Sequence, residues 1–419
     1  MKLEYVVSGT SYMRLSNPRV LSDEVNVALV NSLLEKVRDQ NGHEFSMLYN
    51  GHTESGFGEK FVNWRGNIKN VHADSGGLQV VTQGLELTDE LKDEVYRNQA
   101  KWADIGMCFD EIPIVKTGLK SDRNATKDRW FDQSRFEEFA RKTGKNVARQ
   151  IEIFKEENSK CRPFVILQGN DIDTYMEWEN YILDEIPDED HKYIGGVAIG
   201  AAALGTGNLE DIQRAFIASQ SRLRSEDGTL HIHILGVGAI RRLLPYLIFT
   251  QNGLYGKVQI SYDSTTHSRA VETGLFYNGT RSVKFNRQLS NHYIEMLDDI
   301  QEMWPLKITV EDFHKKMNTN STKWLEEHSD LNSWMEARTA MCLKSIYNFC
   351  RHADKIHTDK DELLAFARRL KLEHAYRNLY NIKDRQDFDY WFNSPYLGQT
   401  MKSAPVATEA PATLEDLFG

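Results

Sequence analysis

Three aspartates carry most of the chemistry this chain can offer. Asp74 stands in His72-Ala73-Asp74-Ser75-Gly76-Gly77-Leu78-Gln79, Asp110 follows Met107-Cys108-Phe109, and Asp263 follows Ile260-Ser261-Tyr262. Paired glycines after Asp74 lack the Cβ that would block a sharp turn or the close approach of a ligand. An acid at the mouth of such a turn is placed to work on a ligand, and Asp also caps turns with its own side chain. Further polar or glycine-rich points follow other apolar runs: Gln168-Gly169, Gly195-Gly196-Val197-Ala198 and Gly236-Val237-Gly238. Three carboxylates, an amide and several glycines at one mouth could bind a ligand and act on it as acid, base or nucleophile.

Such a convergence needs a scaffold that turns many strand ends toward one face. The chain has eight short β-rich runs: 5–7, 46–49, 71–73, 107–109, 164–167, 194–199, 231–235 and 258–262. Amphipathic stretches such as 89–102, 133–154 and 209–223 lie between them. Eight strands alternating with helices predict an α/β chain folded as a closed (β/α)8 barrel, whose working residues sit at the C-terminal strand ends. A doubly wound open sheet is the alternative, but no GxGxxG opens a helix after the first strand. The barrel is expected over residues 1–275. A hairpin turning at Asn278-Gly279, a pair that favours the type I′ turn, and a helical region rich in Trp and Tyr are expected over 276–400. Residues 401–419 are expected as a disordered tail, because Lys402 to Pro411 is rich in Ala, Pro and Thr; it ends in Leu414-Glu415-Asp416-Leu417-Phe418-Gly419.

At 419 residues the chain can bury a large core, and a formal charge of −10 confines any nucleic-acid surface to a local patch. Cysteines at 108, 161, 342 and 350 form no disulfide framework and suit a reducing cytosol. The opening MKLEYVVSG has too short an apolar run for a signal peptide, and no stretch could span a membrane. A cytoplasmic protein without a membrane partner is expected.

Six segments together resemble the tRNA-guanine transglycosylase superfamily. HADSGGLQ is similar to its DSGG(F/Y)Q, MCFDEIP to its FDE stretch, VILQGN to its IVQGG, GGVAIG to its GGLAVG, ILGVG to its LMGVG, and YDSTTHSR to its FD-x-x-x-PTR. The likeness covers residues from about 70 to 270; the first 60 residues and those after about 275 match poorly. The resemblance implies exchange of guanine in a nucleic acid for a 7-deazaguanine. Asp263 would be the nucleophile that attacks the anomeric carbon, forming a covalent glycosyl-enzyme as retaining glycosidases do. Asp74 would protonate the departing guanine and then deprotonate the incoming base. Asp110 would accept from the guanine ring N–H and exocyclic amine, Gln168 and the Gly196 backbone would contact the six-position carbonyl, and Val197, Ser75 and Gly236 would line the pocket. Leu78 and Leu235 would sandwich the ring. Nothing is hydrolysed to drive exchange, so no cofactor is expected.

The chain also departs from that family. The tRNA-modifying members carry a zinc site on CxCxxC plus a downstream His, whereas Cys342, Cys350, His352 and His357 lie in a helical stretch without that spacing, so no structural zinc is expected. Ala201 stands where bacterial tRNA enzymes have a glutamate that supports an aminomethyl cation, which favours a neutral 7-substituent such as a nitrile. The chain is more similar to a branch in phages and bacterial genomic islands that acts on DNA, where the target base would have to be flipped from the duplex. DNA is the favoured partner, with tRNA, or a catalytically inactive subunit, as alternatives. Arg269, at the place of the family's PTR arginine, and Arg241 and Arg242, in the first turn of a helix whose dipole disfavours cations, are candidate phosphate contacts. The apolar pegs Leu414 to Phe418 look like peptides that dock on a DNA sliding clamp.

Overall fold

A parallel strand in a closed sheet is covered by helices outside and by other strands' side chains inside, so it reads as a short, nearly continuous apolar run. The eight runs of the sequence become eight such strands. The computed structural model describes residues 3–8, 44–62, 66–77, 87–113, 132–200, 207–225, 227–267, 275–277, 282–284 and 331–394, with a few positions between 31 and 38. The strands are β1 (Glu4–Val7), β2 (Phe45–Asn50), β3 (Ile68–Asp74), β4 (Ile105–Met107), β5 (Arg162–Leu167), β6 (Gly196–Ile199), β7 (Leu230–Ile234) and β8 (Val258–Ser264). They pair in parallel in chain order, and β8 closes onto β1 with Glu4 opposite Ser261 and Val7 opposite Ser264. Tyr5 Oη locks the seam by donating to the Ser264 carbonyl at 3.1 Å.

Helices α1 (Phe57–Val62), α2 (Asp89–Trp102), α3 (Phe136–Glu156), α4 (Ile172–Asp184), α5 (Asn208–Gln220) and α6 (Ile240–Gln251) follow successive strands. Local chemistry sets their starts. The Thr88 side chain accepts from Leu91 N at α2, and Asp171 with Thr174 forms a capping box at α4. Along α3, Phe136, Phe139, Ala140, Thr143, Val147, Ile151 and Phe154 are buried at three- and four-residue spacing, the stripe of a helix laid on a sheet.

Beyond the barrel, β9 (Leu275–Tyr277) and β10 (Ser282–Lys284) pair antiparallel, and the turn expected at Asn278-Gly279 lies outside the described residues. Then come α7 (Leu331–Thr358), α8 (Lys360–Arg369), α9 (Glu373–Leu379) and α10 (Arg385–Phe392). The Phe349 ring of α7 sits 6.0 Å from both Tyr5 and Tyr262, covering the β8–β1 seam. Phe388 of α10 stacks on Phe216 of α5 at 3.9 Å, and Asn252, after α6, donates to the Ile382 carbonyl. Barrel and C-terminal helices share one apolar core. Cys342 and Cys350 belong to that packing, where Tyr262 Oη donates to Cys350 Sγ. No described helix is long and apolar enough to cross a membrane.

Two strand limits differ from expectation in ways that matter for the site. β4 is 105–107 instead of 107–109, which frees Phe109 and Asp110 for the loop. β8 runs on through Asp263 to Ser264, because Asp263 still pairs with Val6 and its carbonyl accepts from Val237 N at 2.7 Å. Asp263 is therefore held inside a strand.

Candidate active site

Asp263 is buried, and its Oδ1 accepts from the Gly236 backbone N–H at 3.1 Å. That donor depends on the turn after β7. Gly236 has φ +65, a left-handed conformation that costs a side-chain-bearing residue about 1 kcal/mol. A Cβ on Gly238 would come within 2.3 Å of Thr266 Oγ1, so the loop after β7 lies tight against the end of β8. Arg242 secures the same turn: its Nη1 donates to the Gly236 carbonyl at 2.7 Å, and its Nε lies 3.3 Å from buried Asp211. This guanidinium is engaged inside the protein, so it positions the turn that holds Asp263. Arg241 is half-buried one residue before it.

Asp74 ends β3, half-buried at the mouth. Burial and the nearby Asp263 carboxylate raise it to about 6, against the opposing backbone N–H groups of Ser75 and Gly76. The following turn is built for close approach. Gly76 has φ +81, and a Cβ there would press on Asn50 Oδ1 at 2.8 Å, an oxygen already accepting from His52 N and Thr53 N. Ser75 is buried and turned inward, its Oγ accepting from Gly77 N, so its hydroxyl braces the turn.

Asp110 completes the set. It is buried, accepts from Gln168 Nε2 at 2.7 Å, and is raised to about 7 by burial, with Asp74 and Glu111 adding to the shift and Gln168 opposing it. Gln168 Oε1 is buried and has no hydrogen-bond partner among the described residues. A ligand presenting N–H donors here would meet an acceptor carboxyl and an acceptor amide oxygen together.

Gly196 and Val197 are not at this mouth. Gly196 is the first residue of β6, opposite Phe164, and the mouth lies four residues on, roughly 13 Å along the strand. Gly200 takes the place expected of Gly196: a Cβ there would come within 2.5 Å of the Gln168 side chain, and Tyr175 Oη holds its carbonyl at 2.5 Å. The correction has a simple cause. A short apolar run with glycines on either side, Gly195-Gly196 before it and Gly200 after, reads the same from either end, and only pairing with β5 fixes which glycine is uppermost. Leu235 stands after β7, partly buried against the core. Leu78, Ala201, Arg269 and the 414–418 peptide lie outside the described residues.

Fold and site together define a class: a closed parallel barrel with three carboxylates converging at the C-terminal mouth. Among the described residues no group of three or more His, Cys, Asp or Glu could hold a metal ion. Comparison with protein-family models and with curated proteins finds no match for the chain.

Proposed function

We propose that this chain is a nucleic-acid guanine transglycosylase acting on DNA, replacing guanine by a 7-deazaguanine with a neutral substituent such as a nitrile. The observation that carries the reading is the pairing of Asp263, held by the Gly236 N–H, with Asp74, raised to about 6 beside it. One is fixed for attack and the other is poised to exchange a proton near neutral pH, the division of labour that base exchange requires.

In the first half-reaction an Asp263 carboxylate oxygen bonds to the sugar C1′. The bond from C1′ to guanine N9 breaks, and the electron pair leaves on the base. Asp74 in its acid form supplies the proton that makes guanine neutral. In the second half the incoming base loses its proton to Asp74, its N9 attacks C1′, and the aspartyl ester bond breaks. Two displacements at one carbon retain configuration. Asp110 and Gln168 recognise the base, the carboxylate accepting from the ring N–H and the exocyclic amine. Arg269 and Arg241 are the phosphate contacts in this reading, docking of residues 414–418 on a sliding clamp is the tail's role, and the cytoplasm is the compartment.

The test is incorporation of labelled guanine into duplex DNA or tRNA, with trapping of a covalent protein–nucleic acid adduct. Label in DNA, an adduct with wild type and none with Asp263→Ala are expected. Label in tRNA alone would assign the other polymer. Wild-type exchange surviving in Asp263→Ala would refute the mechanism.

A further inference from the structure

A TIM barrel's interior is normally filled by layers of branched aliphatic side chains. Here a polar column runs through it. At the foot, buried Glu4 takes five neighbours: Ser46 Oγ at 2.5 Å, Asn70 Nδ2 at 2.8 Å and His72 Nε2 at 3.1 Å on Oε1, and Lys69 Nζ at 2.6 Å and Gln259 Nε2 at 3.2 Å on Oε2. Burial pushes the Glu4 carboxyl up, but the hydrogen bond from His72, with the Lys69 ammonium and Asn70, outweighs it and holds it far below the usual range. An ionised carboxylate only accepts, so His72 carries its proton on Nε2. Lys69 and Gln259 also line a cavity of about 410 Å³ at the N-terminal end of the barrel, so the column spans from that end toward the mouth.

His72 sits on β3 and His233 on β7, and their wholly buried rings lie 5.5 Å apart at a 40° tilt. Strands so far apart in the sheet meet only across the interior. His233 Nδ1 is 2.9 Å from Ser261 Oγ, and its Nε2 is 3.3 Å from Asp263 Oδ1 without hydrogen-bond alignment. Ser261 has one proton, and its Oγ is also 3.4 Å from the Ile232 carbonyl. If that proton goes to Ile232, Ser261 accepts from His233 Nδ1–H and a bare Nε2 faces the carboxylate. If it turns to His233 Nδ1, Nε2–H faces Asp263 instead. Of the two neutral tautomers only the second places a donor against a carboxylate oxygen, and a small ring rotation completes the bond.

We propose that His233, as the Nε2–H tautomer, is a positioning residue for Asp263: with the Gly236 N–H it holds Oδ1 and leaves Oδ2 to attack. This rests on the reading of Asp263 as nucleophile. The ionisable groups around His233 are His72 and Asp74 from β3 and Asp263 from β8. Glu4 of β1 acts through His72, and β6 presents only glycine and apolar residues. A mere core plug would affect stability alone. A positioning donor affects the chemical step, because removing its N–H leaves Oδ1 held by the Gly236 N–H alone and Oδ2 less fixed for attack.

The experiment compares wild type with His233→Phe, which keeps a ring but no donor, and His233→Gln, whose amide restores one. In base exchange, His233→Phe should lower kcat by about tenfold or more while the KM for guanine stays within about twofold. His233→Gln should recover most of the loss. A folded His233→Phe with wild-type kcat overturns the proposal, as does a loss that falls in KM and is not rescued by His233→Gln. Absence of any wild-type exchange would instead overturn the proposed function, and ¹⁵N-histidine NMR then decides this point alone. An Nε2–H tautomer at His233 that shifts on Asp263→Asn supports the contact; an Nδ1–H tautomer indifferent to Asp263→Asn overturns it.

Discussion

Replacing Asp110 by Asn should make the protein more stable at alkaline pH and worse at binding guanine. The folded protein holds Asp110 at about 7, against an ordinary value of 3.8. Between those values the folded state binds a proton that the unfolded state has lost. Stability from this group is fully present below its unfolded value and is lost as pH rises through about 7. At 1.36 kcal/mol per unit the loss is about 4 kcal/mol at most, and because Asp74 is coupled to the same shift, a gain of roughly 2–4 kcal/mol is expected for Asp110→Asn at pH 8. Asn keeps the volume, and its carbonyl oxygen can still accept from Gln168 Nε2. Its amide can also donate to Gln168 Oε1, which has no hydrogen-bond partner among the described residues. Urea unfolding from pH 4 to pH 8 reads the effect: the two proteins should coincide near pH 4 and separate as pH rises, with the variant ahead. A variant less stable than wild type at pH 8, or a gap that closes with rising pH, would refute the reasoning. The same change removes the anionic acceptor for two base donors, about 1.5–3 kcal/mol, or roughly tenfold to a hundredfold in guanine affinity.

Guanine binding should release protons near pH 6, because donors from the base favour ionised Asp110; calorimetry in buffers of different ionisation enthalpy should show the release at pH 6 and little above pH 8. Gly200→Ala places a methyl within 2.5 Å of the Gln168 side chain, which is pinned to Asp110, and should weaken guanine binding by about tenfold or more with little change in melting temperature. Deleting residues 412–419 should leave exchange on short naked DNA unchanged but reduce modification of replicating DNA in cells, if the tail raises local concentration at a clamp.

Most of the barrel was legible in the sequence because its strands are buried on both faces. Tyr5-Val6-Val7 and Phe164-Val165-Ile166-Leu167 cannot be solvated segments, and helical patterns between such runs leave few architectures. The strand ends were less legible. Asp263 reads as a residue after a strand, yet it continues the ladder, since nothing in Ser261-Tyr262-Asp263-Ser264 breaks extended backbone. The place of the C-terminal helices was not legible, because Phe349 and Phe388 show their partners, Tyr5, Tyr262 and Phe216, only once the chain is closed.

At the site, the acids were visible because Asp74 and Asp110 adjoin turns and Asp263 ends an apolar run; the groups that set their behaviour were not. Glu4 looks like an ordinary terminal acid, and His72 and His233 look like alternating residues of two unrelated strands. Their meaning comes from contacts spanning 68 residues between Glu4 and His72, and from His233 beside Asp263. Arg242 shows the same limit: a cation in a helix's first turn suggests a phosphate until its guanidinium is seen on the Gly236 carbonyl. Crowding three carboxylates into one mouth, two of them buried, is unfavourable, as the upward shifts of Asp74 and Asp110 record. A protein that needed only a stable barrel would gain by replacing them with apolar residues. It also would not need to place two histidines and a five-partner glutamate beneath them. In the proposed reading the acids and the column make sense together, since an attacking carboxylate needs one oxygen held and the other free, and donors gathered around one oxygen are how a folded chain achieves that.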